Sequence, residues 1–205
     1  SHHVDTVKFV APSLSGVDVS LEKEPLAIVN RLEFDTYLRT LAQNEGAEVI
    51  EGYFKSYDGQ FAYIKSNASN LRIQAKYIIS ADGVNSTVRK AVTGTLPSRV
   101  LTLYAKVQQP LTRKCELWFG KDIAPGYYAW SFVHNYGTHI GLACEDESEV
   151  HKYFGHFCEK LGLNHIPKPR GYYIPLWKDD LYRKENILFV GDAAGQVSPF
   201  TYEGI

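Results

Sequence analysis

The sequence predicts a chain of mixed α/β (α+β) class, and three observations predict it. A capped helix near residue 30 leads into a strand, aromatic-rich alternating segments fill the middle, and a wholly apolar strand at Ile187–Val190 restores α/β character near the end. Composition excludes other classes. At 44% hydrophobic and 22% charged residues the chain is globular rather than disordered. Its 22 Lys+Arg against 23 Asp+Glu leave a formal charge of -1, with no pole of charge to hold nucleic acid or an anionic bilayer. No run of 18 apolar residues is present to form a membrane-spanning helix.

Taken in order, Asn30 followed three positions later by Glu33 is a capping box. Phe34, Tyr37, Leu38, Leu41 and Ala42 then form a stripe along one helix face, and Gly46 supplies a left-handed stop. A short strand is expected at Glu48–Glu51. Gln60–Ser66 alternates, Asn67–Asn70 is turn chemistry, and Leu71–Lys76 is the return strand, with a further tight turn at Asp58-Gly59. Tyr77-Ile78-Ile79 reads as a short buried strand ending at Ala81-Asp82-Gly83. Asn85 or Ser86 then caps a helix whose inner face is Val88, Ala91 and Val92. Beyond Ser98, strands are expected at 100–107, 115–120, 127–134 and 139–144 as an antiparallel sheet. A helix follows on Val150, Tyr153, Phe154, Phe157 and Leu161, closed by Gly162, and Arg170–Trp177 adds one more strand.

Cys115, Cys144 and Cys158 are far apart and lack any C-x-x-C spacing. They read as free thiols in a reducing, cytoplasmic setting. His134 and His139 flank a hairpin turn at Asn135–Gly137, but two histidines without a carboxylate make no metal site, and none is expected. The chain contains no Met and starts at Ser1, so either its N-terminus has been trimmed or it has been cut from a longer chain.

Three motifs carry chemistry. Ile187–Gly195 is a buried strand that delivers Gly191 and Asp192 to a sheet edge among small residues, where ligands of open α/β sheets bind. Its carboxylate can accept hydrogen bonds from sugar-like hydroxyls; the same residues also make a plain strand-to-helix turn. Asp82-Gly83, with Arg89 beyond it, repeats the pattern at a second strand, where a common turn is the simpler reading. Arg31 lies in the first turn of its helix, where the dipole disfavours a cation. It is explained either by an anionic ligand or by simple solvation.

Together these motifs resemble the FAD-dependent oxidoreductases that include aromatic hydroxylases and geranylgeranyl reductases. The resemblance rests on Arg31, Phe34, Asp35 and Leu38 in an Arg-x-x-Phe-Asp-x-x-Leu helix, on Asp82-Gly83 with Arg89, and on Gly191-Asp192. It implies that Arg31 binds FAD, that Asp82 and Gly83 serve FAD and NAD(P)H, and that Asp192 holds the ribityl hydroxyls. Two stretches are similar to the geranylgeranyl reductase branch. Tyr128, Trp130 and Phe132 match a signature lining the substrate cavity, with Gly141 downstream, and Pro199–Ile205 matches the segment that passes the flavin ring with its Gly204 and Ile205 amides. Val133 and Tyr202 depart from the Pro and Gly of those patterns, and the nucleotide-binding Gly-x-Gly-x-x-Gly run does not occur.

The resemblance therefore implies part of a Rossmann-like FAD-binding domain at 1–97, an antiparallel substrate domain with one helix at 98–184, and a return to the FAD domain at 185–205. The implied function is reduction of an isoprenoid-like double bond, with NAD(P)H or another electron donor. The alternatives are a flavin monooxygenase and a flavin-less interaction protein that keeps the fold. A lipid substrate would call for peripheral membrane contact.

Overall fold

A computed structural model describes residues 2–67, 69–108, 111, 114–134, 137–177 and 181–204. In chain order the elements are β1 (His2–Val4), β2 (Thr6–Val10), β3 (Gly16–Ser20), β4 (Leu26–Ile28) and helix α1 (Arg31–Asn44). There follow β5 (Gly52–Tyr57), β6 (Phe61–Ser66), β7 (Asn70–Gln74), β8 (Ile78–Ser80), α2 (Thr87–Thr93) and β9 (Arg99–Val107). The rest are β10 (Cys115–Trp118), β11 (Ala129–His134), β12 (Gly137–Ala143), α3 (Val150–Lys160), β13 (Arg170–Pro175), β14 (Arg183–Lys184) and β15 (Ile187–Phe189). The fold is mixed α/β, as expected. The chain divides into two compact units, one of residues 1–41 and 100–172, the other of residues 42–99 and 173–205. The sequence-based boundaries stand at 97/98 and 184/185.

The first unit is built on a seven-stranded sheet of order β13-β9-β12-β11-β10-β2-β3. Along β11, buried Ala129 and Ser131 alternate with half-buried Trp130, Phe132 and His134, so the sheet has two unlike faces. One face is covered by α3, whose Val150, Phe154, Phe157 and Cys158 recur at i, i+4, i+7 and i+8. They pack on Leu103, Ala105, Ala129, Ile140 and Leu142, and Trp118 meets Phe157 edge-on with ring centroids 5.8 Å apart. Phe154 and Phe157 are about 1% exposed or less, and truncating either to Ala costs about 3–5 kcal/mol. The other face carries Val7, Leu117, Trp130 and Phe132, joined by Val4 and Ile28 from the β1–β4 pair. The alternating sequence did not reveal β1 to β4, nor that β2 pairs parallel with β10.

The second unit holds two three-stranded sheets, β5-β6-β7 and β14-β15-β8. Its core is Val88, Ile187, Phe189 and Ala194, packed with Phe54, Tyr57 and Val92. Three local expectations change. Glu48–Glu51 forms no strand and pairing starts at Gly52, where a β-ladder partner on β6 is available. Tyr77 and Ile79 are 56% and 64% exposed, so the strand expected to be buried shows one side to solvent. Ala91 is exposed, and Arg89 takes the inward place on α2. The turn at Asn67–Asn70 includes Ala68, which lies outside the described residues, as do Asn135 and Tyr136 of the expected hairpin turn.

On α1 the capping box is rearranged. The Asn30 side chain accepts from the Leu32 amide at 3.1 Å while its own amide group donates to Glu33 Oε1 at 3.1 Å, so Glu33 is tied to the side chain of the cap. The helix ends before Gly46, which adopts a φ of 94°. No residue of α1 is buried.

Candidate functional site

In the second unit, β15 runs parallel to β8 with Ile187 opposite Ile78, Leu188 opposite Ile79 and Phe189 opposite Ser80. Both strands therefore end at one edge, and each is followed at once by an Asp next to a Gly. That edge is where parallel sheets bind ligands.

The Asp82 carboxylate is engaged throughout. Oδ1 accepts from the Ser80 and Ser86 hydroxyls at 2.6 and 2.5 Å, and Oδ2 accepts from the Thr87 and Val88 amides at 2.8 and 3.1 Å. Burial alone would raise its pKa, but the Ser80, Ser86 and Val88 donors outweigh it and hold the carboxyl below its ordinary value. Asp82 is thus a brace for the start of α2. Gly83 follows at a φ of 81°, which favours glycine. Ser86 caps the helix by accepting from the Arg89 amide at 2.9 Å.

Arg89 is only 3% exposed, and its guanidinium donates to the carbonyl of Ala193 at 2.9 Å. It ties the first Asp-Gly loop to the second. There Gly191–Ala194 makes a single 3-10 turn between glycines at φ 57° and 73°. The turn is closed by the Gly191 amide, which donates to Gln196 Oε1 at 2.9 Å, and by the Gln196 amide, which donates to Gly191 O at 3.0 Å. Ala193 and Ala194 are fully buried beneath it.

Gly204 lies directly on Asp192. A Cβ there would stand 2.9 Å from Asp192 Oδ1 and 3.1 Å from a Val197 methyl. The segment reaches that point through a tight loop in which the Ser198 amide donates to Glu203 O at 2.8 Å and the Tyr202 amide donates to Ser198 O at 2.9 Å. Tyr202 has a φ of 56°, a left-handed conformation at the position where the family pattern has Gly. Pro199 is exposed on this loop. Ile205, expected to contribute its amide, lies outside the described residues.

This edge fits a hydroxylated ligand such as FAD. A half-buried carboxylate at Asp192 supplies acceptors. Above Gly83 and Gly191 a Cβ would meet nothing within 4 Å, so a ligand can come close to the backbone there.

The remaining expected residues lie in the first unit. Arg31 is 74% exposed at its side chain and pairs with Asp35, Nε to Oδ1 at 3.2 Å and Nη2 to Oδ2 at 3.3 Å. Tyr128, Trp130 and Phe132 form a row, with centroids 6.2 Å apart for Tyr128–Trp130 and 6.5 Å for Trp130–Phe132. Phe119 and Phe9 extend it beyond Tyr128. The Trp130 indole covers Gly141 on β12, where a Cβ would fall 2.2 Å from Trp130 Cζ2 and 2.6 Å from Leu103 O. Val133, in place of Pro, is buried in the same cluster as Val7 and Cys115.

Sequence reasoning did not single out Ser80, Gln196 or the burial of Arg89. A serine two residues before Asp82 and a glutamine closing the glycine-flanked turn were visible, but their partners belong to the fold. Among the described residues no three His, Cys, Asp or Glu side chains gather as a metal ion would require, and no helix is long and apolar enough to cross a membrane.

A family model described as an FAD binding domain matches residues 8–114, just over half of the chain. The geranylgeranyl diphosphate reductase of Rhodobacter capsulatus is 26% identical over 98% of this chain and 56% of its own length. The digeranylgeranylglycerophospholipid reductase of Methanocaldococcus jannaschii is 27% identical over 95% of this chain and 55% of its own. The chain thus spans about half the length of the curated relatives it matches. Among solved structures, a geranylgeranyl bacteriochlorophyll reductase-like protein from Thermoplasma acidophilum superposes with a TM-score of 0.82 at 22% identity, covering 99% of this chain and 58% of that one. That likeness shows the fold.

Proposed function

From the premise that this chain belongs to the FAD binding domain family, we propose that it serves an FAD-dependent reductase acting on a polyprenyl double bond. The observation that carries the reading is the pair of parallel strands, β8 and β15, which set Asp82 and Asp192 at one edge with the Gly204 backbone laid on Asp192. FAD, when bound, supplies the hydride chemistry, and NAD(P)H or another donor renews it.

The chain's own residues bind and orient. Asp192 accepts hydrogen bonds from the ribityl hydroxyls, and the glycines at 83 and 191 let the cofactor lie close to the backbone. The Gly204 backbone, laid on Asp192, would offer its amide to the flavin ring. Arg31, with Nε and Nη2 turned to Asp35, keeps its Nη1 donors for an anionic part of the cofactor. Asp82 serves by bracing α2. The row of Tyr128, Trp130 and Phe132 lines the path of an apolar chain and excludes water from it. We place the substrate-binding part at residues 98–184, and a lipid substrate brings with it peripheral membrane contact.

The test is the visible spectrum of the protein expressed at the full length of its gene. Bound flavin absorption is expected, and a colourless protein that takes up no FAD would overturn the reading. Asp192→Ala removes charge-assisted hydrogen bonds worth about 1.5–3 kcal/mol, so FAD affinity should fall roughly 10- to 100-fold in a fluorescence titration. Under anaerobic conditions NAD(P)H oxidation should proceed with a polyprenyl acceptor. An absolute need for O2 would favour a monooxygenase instead.

A further inference from the structure

The β5–β6 hairpin of the second unit has two unlike faces. Phe54 and Tyr57 turn inward and pack with Val88, Ile187 and Phe189. Between them the register with β6 shifts, and Lys55 is the extra residue of a β-bulge. The bulge lets Phe54 and Tyr57, three residues apart in sequence, both reach the core and leaves Lys55 exposed on the outer face. On that face Tyr53 stands directly opposite Lys65 and is 74% exposed. Tyr53, Lys55 and Lys65, with Ser66 and Asn67, line an open cleft of about 400 Å³. Small-molecule sites run from roughly 300 to 1,000 Å³.

The lining holds two ammonium groups and no carboxylate, so it favours an anion. Lysine stays charged at neutral pH, and each ammonium brings three donors to the oxygens of a phosphate. Lys55 is two residues from Tyr53 and so a diagonal neighbour of Lys65, a spacing that side chains of this length can bridge to one ligand. The exposed Tyr53 ring beside them gives a planar base a surface to stack on, and the Asn67 amide has a donor and an acceptor for its edge. We propose that the outer face of the β5–β6 hairpin binds a nucleoside phosphate, with the phosphate between Lys55 and Lys65 and the base on Tyr53. The cleft lies across the hairpin from the core that β15 joins, so it is a site beyond the edge of Asp82 and Asp192 and does not rest on the reductase reading. A nicotinamide donor with a 2′-phosphate and a free nucleoside diphosphate share this chemistry.

The experiment measures binding to the full-length protein by calorimetry, with ADP, 2′-AMP, adenosine and inorganic phosphate as probes. The two nucleotides should bind more tightly than adenosine or phosphate. Lys55→Gln and Lys65→Gln should each weaken the nucleotides about tenfold and leave adenosine within about twofold. Tyr53→Ala should weaken the nucleotides about fivefold or more and spare inorganic phosphate. All three side chains lie outside the core, so the variants should melt with the wild type. Tighter binding of 2′-AMP assigns the cleft to the donor, and equal or tighter binding of ADP assigns it to a free nucleotide. Binding of neither nucleotide, inorganic phosphate bound as tightly as ADP, or equal losses for adenosine would overturn the inference. So would lysine variants whose only loss is in FAD affinity, since the cleft would then belong to the flavin site. A colourless protein that still binds ADP through Lys55 and Lys65 overturns the flavin reading alone.

Discussion

Arg89 shows how much one side chain can hold. An arginine on a short helix reads as solvated, yet its guanidinium sits under the surface and donates to Ala193 O. Arg89→Met leaves that buried carbonyl unsatisfied and should destabilise the protein by about 1–3 kcal/mol in urea denaturation. Arg89→Lys should recover only part, because an ammonium cannot reproduce the planar fork. His139 makes a second prediction. Its pKa falls from 6.5 to about 4 on folding, so between those values the unfolded chain binds more protons and stability rises with pH. Melting temperature should therefore drop as pH falls from 6.5 to 4, by an amount screened by solvent at this half-exposed site, and His139→Gln should flatten that slope. The two Asp-Gly signals were legible because each lies beside a glycine at the end of an apolar run. The brace role of Asp82 was not, since it depends on hydroxyls whose positions only the fold supplies.

At the scale of elements, hairpin β11–β12 depends on a missing side chain. Gly141 accommodates the Trp130 indole on one side and the Leu103 carbonyl on the other. Gly141→Ala should cost about 1–3 kcal/mol by overpacking and shift the tryptophan emission of the native state. Trp130→Phe should restore only part of this, because the Leu103 carbonyl is backbone and cannot swing aside. The strands of this sheet were readable from aromatic alternation, and α3 from its stripe. What alternation could not convey was pairing: nothing local in Thr6–Val10 says that it lies parallel to Cys115–Trp118. The strand expected at Glu48–Glu51 failed for the same reason, since Val49 and Ile50 have the right composition but ladder pairing with β6 begins only at Gly52. Pairing is a property of two segments.

At the scale of the molecule, each compact unit is discontinuous in sequence. The parallel register of Ile78 with Ile187 joins segments more than a hundred residues apart, and so does the bond from Arg89 to Ala193. On a ribosome, residues 42–99 emerge long before 173–205 and cannot complete their sheet until β15 arrives. Such late, non-local closure slows folding. A chain shortened to end at Tyr172 should retain slow amide exchange in β9, β11, β12 and α3, while β8 and α2 exchange rapidly for want of β15. If Asp192 is the cofactor's contact, flavin uptake must wait for the second Asp-bearing loop, which leaves the ribosome roughly a hundred residues after the first.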